Sequence, residues 1–468
     1  MVGFQVTVAV RCATITRQPS RVTREASVAG ASSSDGHLGW ESMDADVLII
    51  GAGAAGLAAG RTLTDAGKRV VLIEARNRIG GRVWTDRAFA RVPVERGAEF
   101  IHGTRGVTWE WVRRAGLTTL LAERWAGRRI LDETGRLAGA ELLDRPDMQR
   151  LLTLEEEIAA YEGDDISFAE WLMMQSFSPL AAHVADLRIA HAACATPATL
   201  SMHALHAEAR AGYAKGGDFH ILEGYDRVMS AIANGLDIRL ATPVEVIRWS
   251  DQYVEASTVH GTFRAPVAVV TLPLAVLQAG AVRFEPSLPL EKTNAIAALA
   301  MAPAMKILFR FNESFWEESL TFLSLRDPAP VWWTVRPGEP LLTALLTGPR
   351  AARLAARGLE GAVEGGLASL SLAYGNEPWR RLVDWQVINW GADPWTRGGY
   401  SSTPPGAYNA RTALAAPCGA LHFAGEATVT DDSPATVHGA LHSGMRAAAE
   451  ILDGSSSWGR GGAAPPAT

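Results

Sequence analysis

Residues Asp46–Arg82 read DVLIIGAGAAGLAAGRTLTDAGKRVVLIEARNRIGGR, and the fold follows from this stretch. The apolar run Val47–Ile50 predicts a buried parallel strand. It ends in a glycine turn, where Gly51, Gly53 and Gly56 fit G-x-G-x-x-G. Leu57–Ala66 continues as a helix, and Val70–Ile73 is a second apolar strand that ends on Glu74. Strand, glycine turn, helix, strand and acid, in that order, make a dinucleotide-binding unit. Gly51 permits the tight turn, Gly53 leaves room for a pyrophosphate, and Gly56 lets helix and strand pack closely. The N-terminus of the helix offers free N–H groups and a positive dipole end to phosphate, and Ala54 and Ala55, small residues of the turn, are counted with the cofactor-binding set. Glu74 is placed to accept hydrogen bonds from a ribose, with Ala75 beside it.

The residues after Glu74 select the nucleotide. Arg76 and Gly80–Gly81–Arg82 follow at once. A plain nicotinamide site has no need of a second glycine pair and arginine. A flavin dinucleotide, buried along its length, gains from a close backbone at Gly81 and a guanidinium fork at Arg82. The competing reading of Arg76 and Arg82 is surface salt bridging.

Three further stretches join this one. They are ERGAEFIHG at Glu95–Gly103, VVTLPLAVL at Val269–Leu277, and FAGEATVTDDSPATVHGALHSGMRAA at Phe423–Ala448. With Asp46–Thr85, they resemble the flavin-containing amine oxidases, a group that includes monoamine, polyamine and spermine oxidases and flavin-dependent histone demethylases. The resemblance covers most of Asp44–Leu452, in the family's order, and its motifs are nearest those of polyamine and spermine oxidases. The fold it implies is α/β, a Rossmann-type FAD-binding domain interleaved with an α+β substrate-binding domain. The expected FAD-binding parts are residues 44–125, 216–295 and 405–453. The expected substrate-domain parts are a helical segment at 126–215 and a sheet at 296–404.

The resemblance also implies site residues. Gly97, Ala98, Glu99 and Phe100 bring backbone to the flavin, and Val244 meets the adenine. Trp390 and Tyr400 lie in WGADPWTRGGY, with Tyr400 one wall of an aromatic cage for an amine. Glu426, after Gly425, accepts from the ribityl chain, and Thr436–Val437 opens a helix toward the flavin pyrimidine. Gly399 stands where monoamine oxidases carry the flavin-linked Cys, so FAD is expected to be noncovalent. The second cage wall, a Tyr in several relatives, falls near Ser433–Thr436, where this chain has none. His102 matches a histidine of the polyamine-oxidase-like members and either orients a substrate amine or is structural. Asp431 and Asp432 either attract a polycation or form a solvated loop.

Lysine is scarce: Lys68, Lys215, Lys292 and Lys306 complete the set, against many arginines. Lys306 sits on an alternating strand, MKILFRF, sharing a face with Leu308 and Arg310. In the family this lysine holds a water near flavin N5 and assists reoxidation by oxygen. The alternative is a solvent-facing strand lysine. His438, inside the last helix, is expected to pack.

The remaining sequence bounds the answer. The chain has 468 residues, 48% hydrophobic and 20% charged, as an ordinary globular enzyme does. A net charge of −6 argues against a nucleic-acid partner. No apolar run reaches transmembrane length. Cys12, Cys194 and Cys418 are too scattered for a disulfide framework or metal site, so no metal is expected. Ile166–Met174 and Leu187–Ala195 show helical periodicity, and His183, His191, His203 and His206 nearby lack ligand spacing. Ile238–Thr271 alternates like a β-meander. The Trp residues of Ala302–Trp390 suggest either an aromatic-lined cavity or plain core; core is preferred, so Trp332 and Trp333 are kept out of the site. Residues 1–43 are Arg- and Ser-rich and acid-poor at their start, either disordered or a targeting segment. Residues 454–468 are expected to be disordered. The expectation is a cytoplasmic monomer or homodimer that oxidises a small-molecule amine, polyamine-like or another primary or secondary amine. The products are an imine or aldehyde and, from O2, hydrogen peroxide. The alternative is an L-amino-acid oxidase or desaturase on the same scaffold.

Overall fold

The computed structural model describes residues 43–212, 215–430 and 433–458. The N-terminal expectation for residues 1–43, all but its last residue, lies outside these, as do Asp431 and Asp432.

Val47–Ile50 is a central strand with all four residues buried, flanked in parallel by Val70–Ile73 and Val267–Val270. Asp237–Arg239 and Leu421–Phe423 complete a five-stranded parallel sheet. Continuous apolar runs fit because both faces are covered. The helices Ala54–Asp65 and Val437–Trp458 pack on one face. On the other, the sheet shares a core with the antiparallel strands Val244–Trp249, Val254–Thr258 and Gly261–Ala265. The expected meander at 238–271 is therefore divided. Its first and last strands enter the parallel sheet, Asp237–Arg239 at the edge with Ile238 half-buried and Val267–Val270 inside with Ala268, Val269 and Val270 buried, and the three between form the meander.

A seven-stranded sheet forms the second layer system. Next to one edge lies Ala304–Phe311, antiparallel to both Leu341–Thr347 and the edge strand Leu382–Asn389. Arg129–Leu131 and Leu137–Ala138, from a segment expected to be helical, join its other edge. The helices Leu154–Ala159, Phe168–Met174, Pro179–Arg188 and Met202–Ala211 build a separate apolar cluster. The periodicity at Leu187–Ala195 does not give a helix beyond Arg188: the chain turns, and Cys194 adopts φ 55°. The last helix continues to Trp458, past the Gly454 where disorder was expected to begin. Residues 459–468 lie outside the described ones. No helix among the described residues is long and apolar enough to cross a membrane.

Candidate active site

The nucleotide end is built by the first turn. Gly51 has φ +107°, and a Cβ there would sit 2.4 Å from Thr271 Oγ1. Gly56 faces inward: a Cβ would meet the Gly51 carbonyl oxygen at 1.9 Å, so the helix rests directly on the turn. Gly53 is the helix N-cap and carries no side-chain cap, which leaves first-turn N–H groups to a ligand. Across from it, a Cβ on Gly81 would lie 3.3 Å from Gly53 Cα, so two bare backbones meet. The Glu74 carboxylate, 6% exposed, is fixed by the N–H groups of Ala52 and Arg76, each at 2.8 Å.

A cavity of about 650 Å³ runs from this cradle toward the seven-stranded sheet. It gathers Gly51, Gly53, Ala54, Ala55, Glu74, Ala75, Arg76, Gly81, Arg82, Gly97, Ala98, Glu99 and Phe100. It also gathers His102, Val244, Lys306, Trp390, Tyr400, Gly425, Glu426, Thr436 and Val437. Gly56 is the one expected residue off its wall, in the packing role its spacing implied. The bare glycine floor, the uncapped helix end and the fixed acid suit a dinucleotide.

The two arginines are held by protein carboxylates. Arg76 makes a bidentate pair with Asp393 at 2.8 and 2.7 Å and donates to Thr396 Oγ1. Arg82 Nη1 donates to Glu426 at 2.9 Å and to the Gly399 carbonyl at 2.7 Å. Glu426 is buried and also takes the Ser401 hydroxyl. Burial pushes its carboxyl up, yet the charges of Arg82 and Arg411 hold it below the usual range. Thr436 Oγ1 accepts from Gly439 N, capping the last helix. His438 is buried, pushed down to about 4, and packs against Gly106.

Lys306 is 3% exposed, which excludes the solvent-facing alternative. Its ammonium donates to the Glu95 carbonyl at 2.8 Å, the Gly97 carbonyl at 3.0 Å and Glu99 Oε2 at 2.5 Å. Those are all three of its donors. Glu99 also accepts from Trp333 Nε1 at 2.8 Å. Glu95, deeply buried, accepts from Tyr225 N and the Thr85 hydroxyl, and burial pushes it up to about 7.

Tyr400 is anchored by its hydroxyl on the Ala192 carbonyl at 2.6 Å. Beside it, a Cβ on Gly399 would lie 2.6 Å from Ala304 Cβ and 2.7 Å from Cys194 Sγ. Pro434 and Ala435 stand on the wall where a second cage aromatic was missing. The cavity finds other aromatics: Phe100 packs against Phe322 at 5.9 Å and Trp333 at 5.5 Å. Trp333 was assigned to core and is a wall residue, whereas Trp332 is core, against Phe309 at 5.2 Å. Strand alternation is the signal that separates them.

Charged residues that sequence reading missed line the outer arm. Asp218 receives His102 Nδ1 at 2.6 Å and Arg124 at 2.7 and 2.8 Å. Burial opposes its charge, but His102 and Arg124 hold it far below the usual range. Arg128, Arg188, Glu155 and Glu208 also face the cavity. Burial pushes Glu208 up to about 7, against the pull of Arg411. Of the helical-segment histidines, His183 and His203 bond to backbone carbonyls, and His191, pushed down to about 4 by burial, sits between Leu345 and Thr347.

A glycine-floored parallel sheet beside a second, sheet-walled lobe defines a dinucleotide-binding protein. The family model described as flavin containing amine oxidoreductase matches residues 54–452. The chain belongs to that family, and FAD is its cofactor. Polyamine oxidase 4 of Oryza sativa subsp. japonica is 30% identical over 452 residues, covering 86% of this chain and 88% of that protein. Lysine-specific histone demethylase 2 of Homo sapiens is 29% identical over 448 residues, covering 86% and 53%. The chain thus spans about half the length of that demethylase. A putrescine oxidase structure with bound putrescine shares the fold at TM-score 0.77 and 23% identity, covering 87% of this chain and 99% of that one. Cyclohexylamine oxidase from Brevibacterium oxydans IH-35A does so at 0.77 and 24%, covering 88% and 100%.

Proposed function

We propose that this protein oxidises an amine to an imine, which water hydrolyses to an aldehyde or ketone, with O2 reduced to hydrogen peroxide and FAD bound without a covalent link. The observation that carries the reading is the single cavity joining the glycine cradle to Tyr400, Lys306 and an aromatic wall. The bound flavin supplies the acceptor for a hydride from the carbon next to the amine nitrogen.

The chain's own residues bind, orient and exclude water. Gly97 lies so close to the Arg82 carbonyl, 1.8 Å from where its Cβ would be, that this wall presents backbone alone. Tyr400, fixed through its hydroxyl, offers a ring face to an amine or its cation. Lys306 provides a buried ammonium, ion-paired with Glu99 at 2.5 Å, beside Trp333, whose ring centroid is 5.3 Å from Nζ. Since its three donors are spent on protein, it acts on the oxygen step through its charge rather than by holding a water. The crowding at Gly399 leaves no room for a linking cysteine, which supports a noncovalent cofactor.

A peroxide-coupled screen of polyamines, monoamines, amino acids and alkenes tests the reaction. Peroxide should form in step with loss of an amine. Turnover of an alkene or alcohol with no amine oxidised would overturn it. Acid precipitation should leave a colourless pellet and yellow supernatant; colour retained by the denatured chain would refute the noncovalent cofactor.

A further inference from the structure

The outer arm of the cavity carries an arginine with no direct ion-pair partner among the described residues. Arg124, Arg128 and Arg188 converge there. Arg124 is answered by Asp218, and Arg188 by Glu155 at 2.9 Å. Arg128 gives Nε to the Arg124 carbonyl and Nη1 to Ser324 Oγ, both at 2.9 Å. Among the described residues no carboxylate lies within 4.0 Å of it, and its Nη2 has no acceptor. Glu208, another carboxyl on this cavity, interacts with Arg411 instead.

The guanidinium is also held in place. It lies 5.0 Å from the Phe322 ring centroid and 5.4 Å from that of Trp125. Burial, with the charges of Arg188 and Arg124 and against the partial pull of Asp218, pushes it down to about 9, so an anion in the arm relieves an existing cost. A second ammonium group would meet the opposite condition, like charge against like in a poorly solvated arm.

We propose that Arg128 binds an oxyanion, and that the amine oxidised here carries a carboxylate or equivalent acid remote from its nitrogen. This rests on the amine-oxidase reading for the reacting end and names the substrate class. The remoteness follows from the wall. From Arg128, 5.0 Å from the Phe322 ring centroid, the path to Lys306 crosses Phe322 and Trp333, which stand opposite each other on neighbouring strands, and Lys306 Nζ lies 5.3 Å from the Trp333 centroid. An α-carboxylate, one bond from the reacting carbon, does not span this pair of rings. An ω-amino carboxylate with an apolar spacer does, and Ile158, Leu187, Val331 and Leu345 line the space for that spacer. The planar fork of an arginine matches a carboxylate with paired donors.

The test compares ω-aminoalkanoates of graded length with the matching diamines and alkylamines on the holoenzyme. The best ω-aminoalkanoate should exceed its diamine and alkylamine in kcat/KM by about 10- to 100-fold. Arg128→Met should raise its KM by a similar factor and move the alkylamine by less than about twofold. Arg128→Lys, which keeps the charge and loses the fork, should fall between. Hexanoate should bind saturably, read by tryptophan fluorescence, and lose that binding in Arg128→Met. A preference for diamines, or equal losses for every amine in Arg128→Met, would overturn the proposal, as would hexanoate binding that survives the substitution. Peroxide from none of the amines would overturn the amine-oxidase reading, and the hexanoate titration would still decide the subsite.

Discussion

Lys306 has three ammonium hydrogens, and the protein takes all of them for Glu95, Gly97 and Glu99. Its residue type and strand were legible, because a lysine retained among arginines on an alternating strand is conspicuous. Its partners were not, since they lie some two hundred residues earlier. Lys306→Met should slow the oxygen-dependent half of turnover by about 100-fold and leave the amine-dependent half within about threefold, read by stopped-flow absorbance. Equal slowing of both halves would make Lys306 a positioning residue for 95–99. The same variant leaves Glu99 buried without its cation, so stability should drop by about 3–5 kcal/mol. Glu95 gives a separate test. Its folded-state value of about 7 lies above the ordinary 4.5, so the fold favours the protonated form. Its stabilising proton is fully bound below pH 4.5 and is lost as pH rises to 7, a decline of about 3 kcal/mol. Glu95→Gln should remove that decline, so its melting temperature should gain on the native protein across that window. A parallel pair of curves would refute the buried-proton account.

The packing of the two long helices depends on an absent side chain. A Cβ on Gly444 would lie 2.1 Å from the Ala55 carbonyl, so Val437–Trp458 meets Ala54–Asp65 backbone to backbone. Gly444→Ala should therefore destabilise the fold by about 1–3 kcal/mol, measured as the urea midpoint, despite alanine's better helix propensity. A neutral or raised midpoint would show that the contact yields. Lys292 shows why scarcity alone is an incomplete guide. It is as buried as Lys306, but it donates to the carbonyls of Ala413, Leu414 and Ala416 at the end of the helix Ala410–Ala415. It is a helix C-terminal cap, a job for any well-placed cation. Trp332 and Trp333 make the same point for strands. Composition groups them as core, and alternation sends one to Phe309 and the other to the cavity.

The parallel sheet is assembled from strands that begin at residues 47, 70, 237, 267 and 421. Its glycine cradle is local, but Glu426 and the last helix close the same cavity from the far end of the chain. A chain ending before Leu421 should accordingly retain less than about a tenth of the FAD of the full chain, although G-x-G-x-x-G is intact. Flavin absorbance per mole of purified protein measures this, and undiminished retention would show the first segment to be self-sufficient. Arg76 and Asp393 tie the same distant parts together through a bidentate pair, 11% and 20% exposed.

By itself the sequence determined the nucleotide unit, because strand, glycine turn, helix and acid are set by neighbours within some forty residues. It also determined the family, through four motifs in order. Tertiary structure alone decided what each charge meets. Arg76 and Arg82, expected at phosphate or at the surface, are tied to Asp393 and Glu426. Lys306 has its donors spent, and Arg128 has no ion-pair partner among the described residues. The physical reason is that local conformation depends on adjacent side chains, whereas the electrostatics of a buried group depends on segments that folding brings beside it.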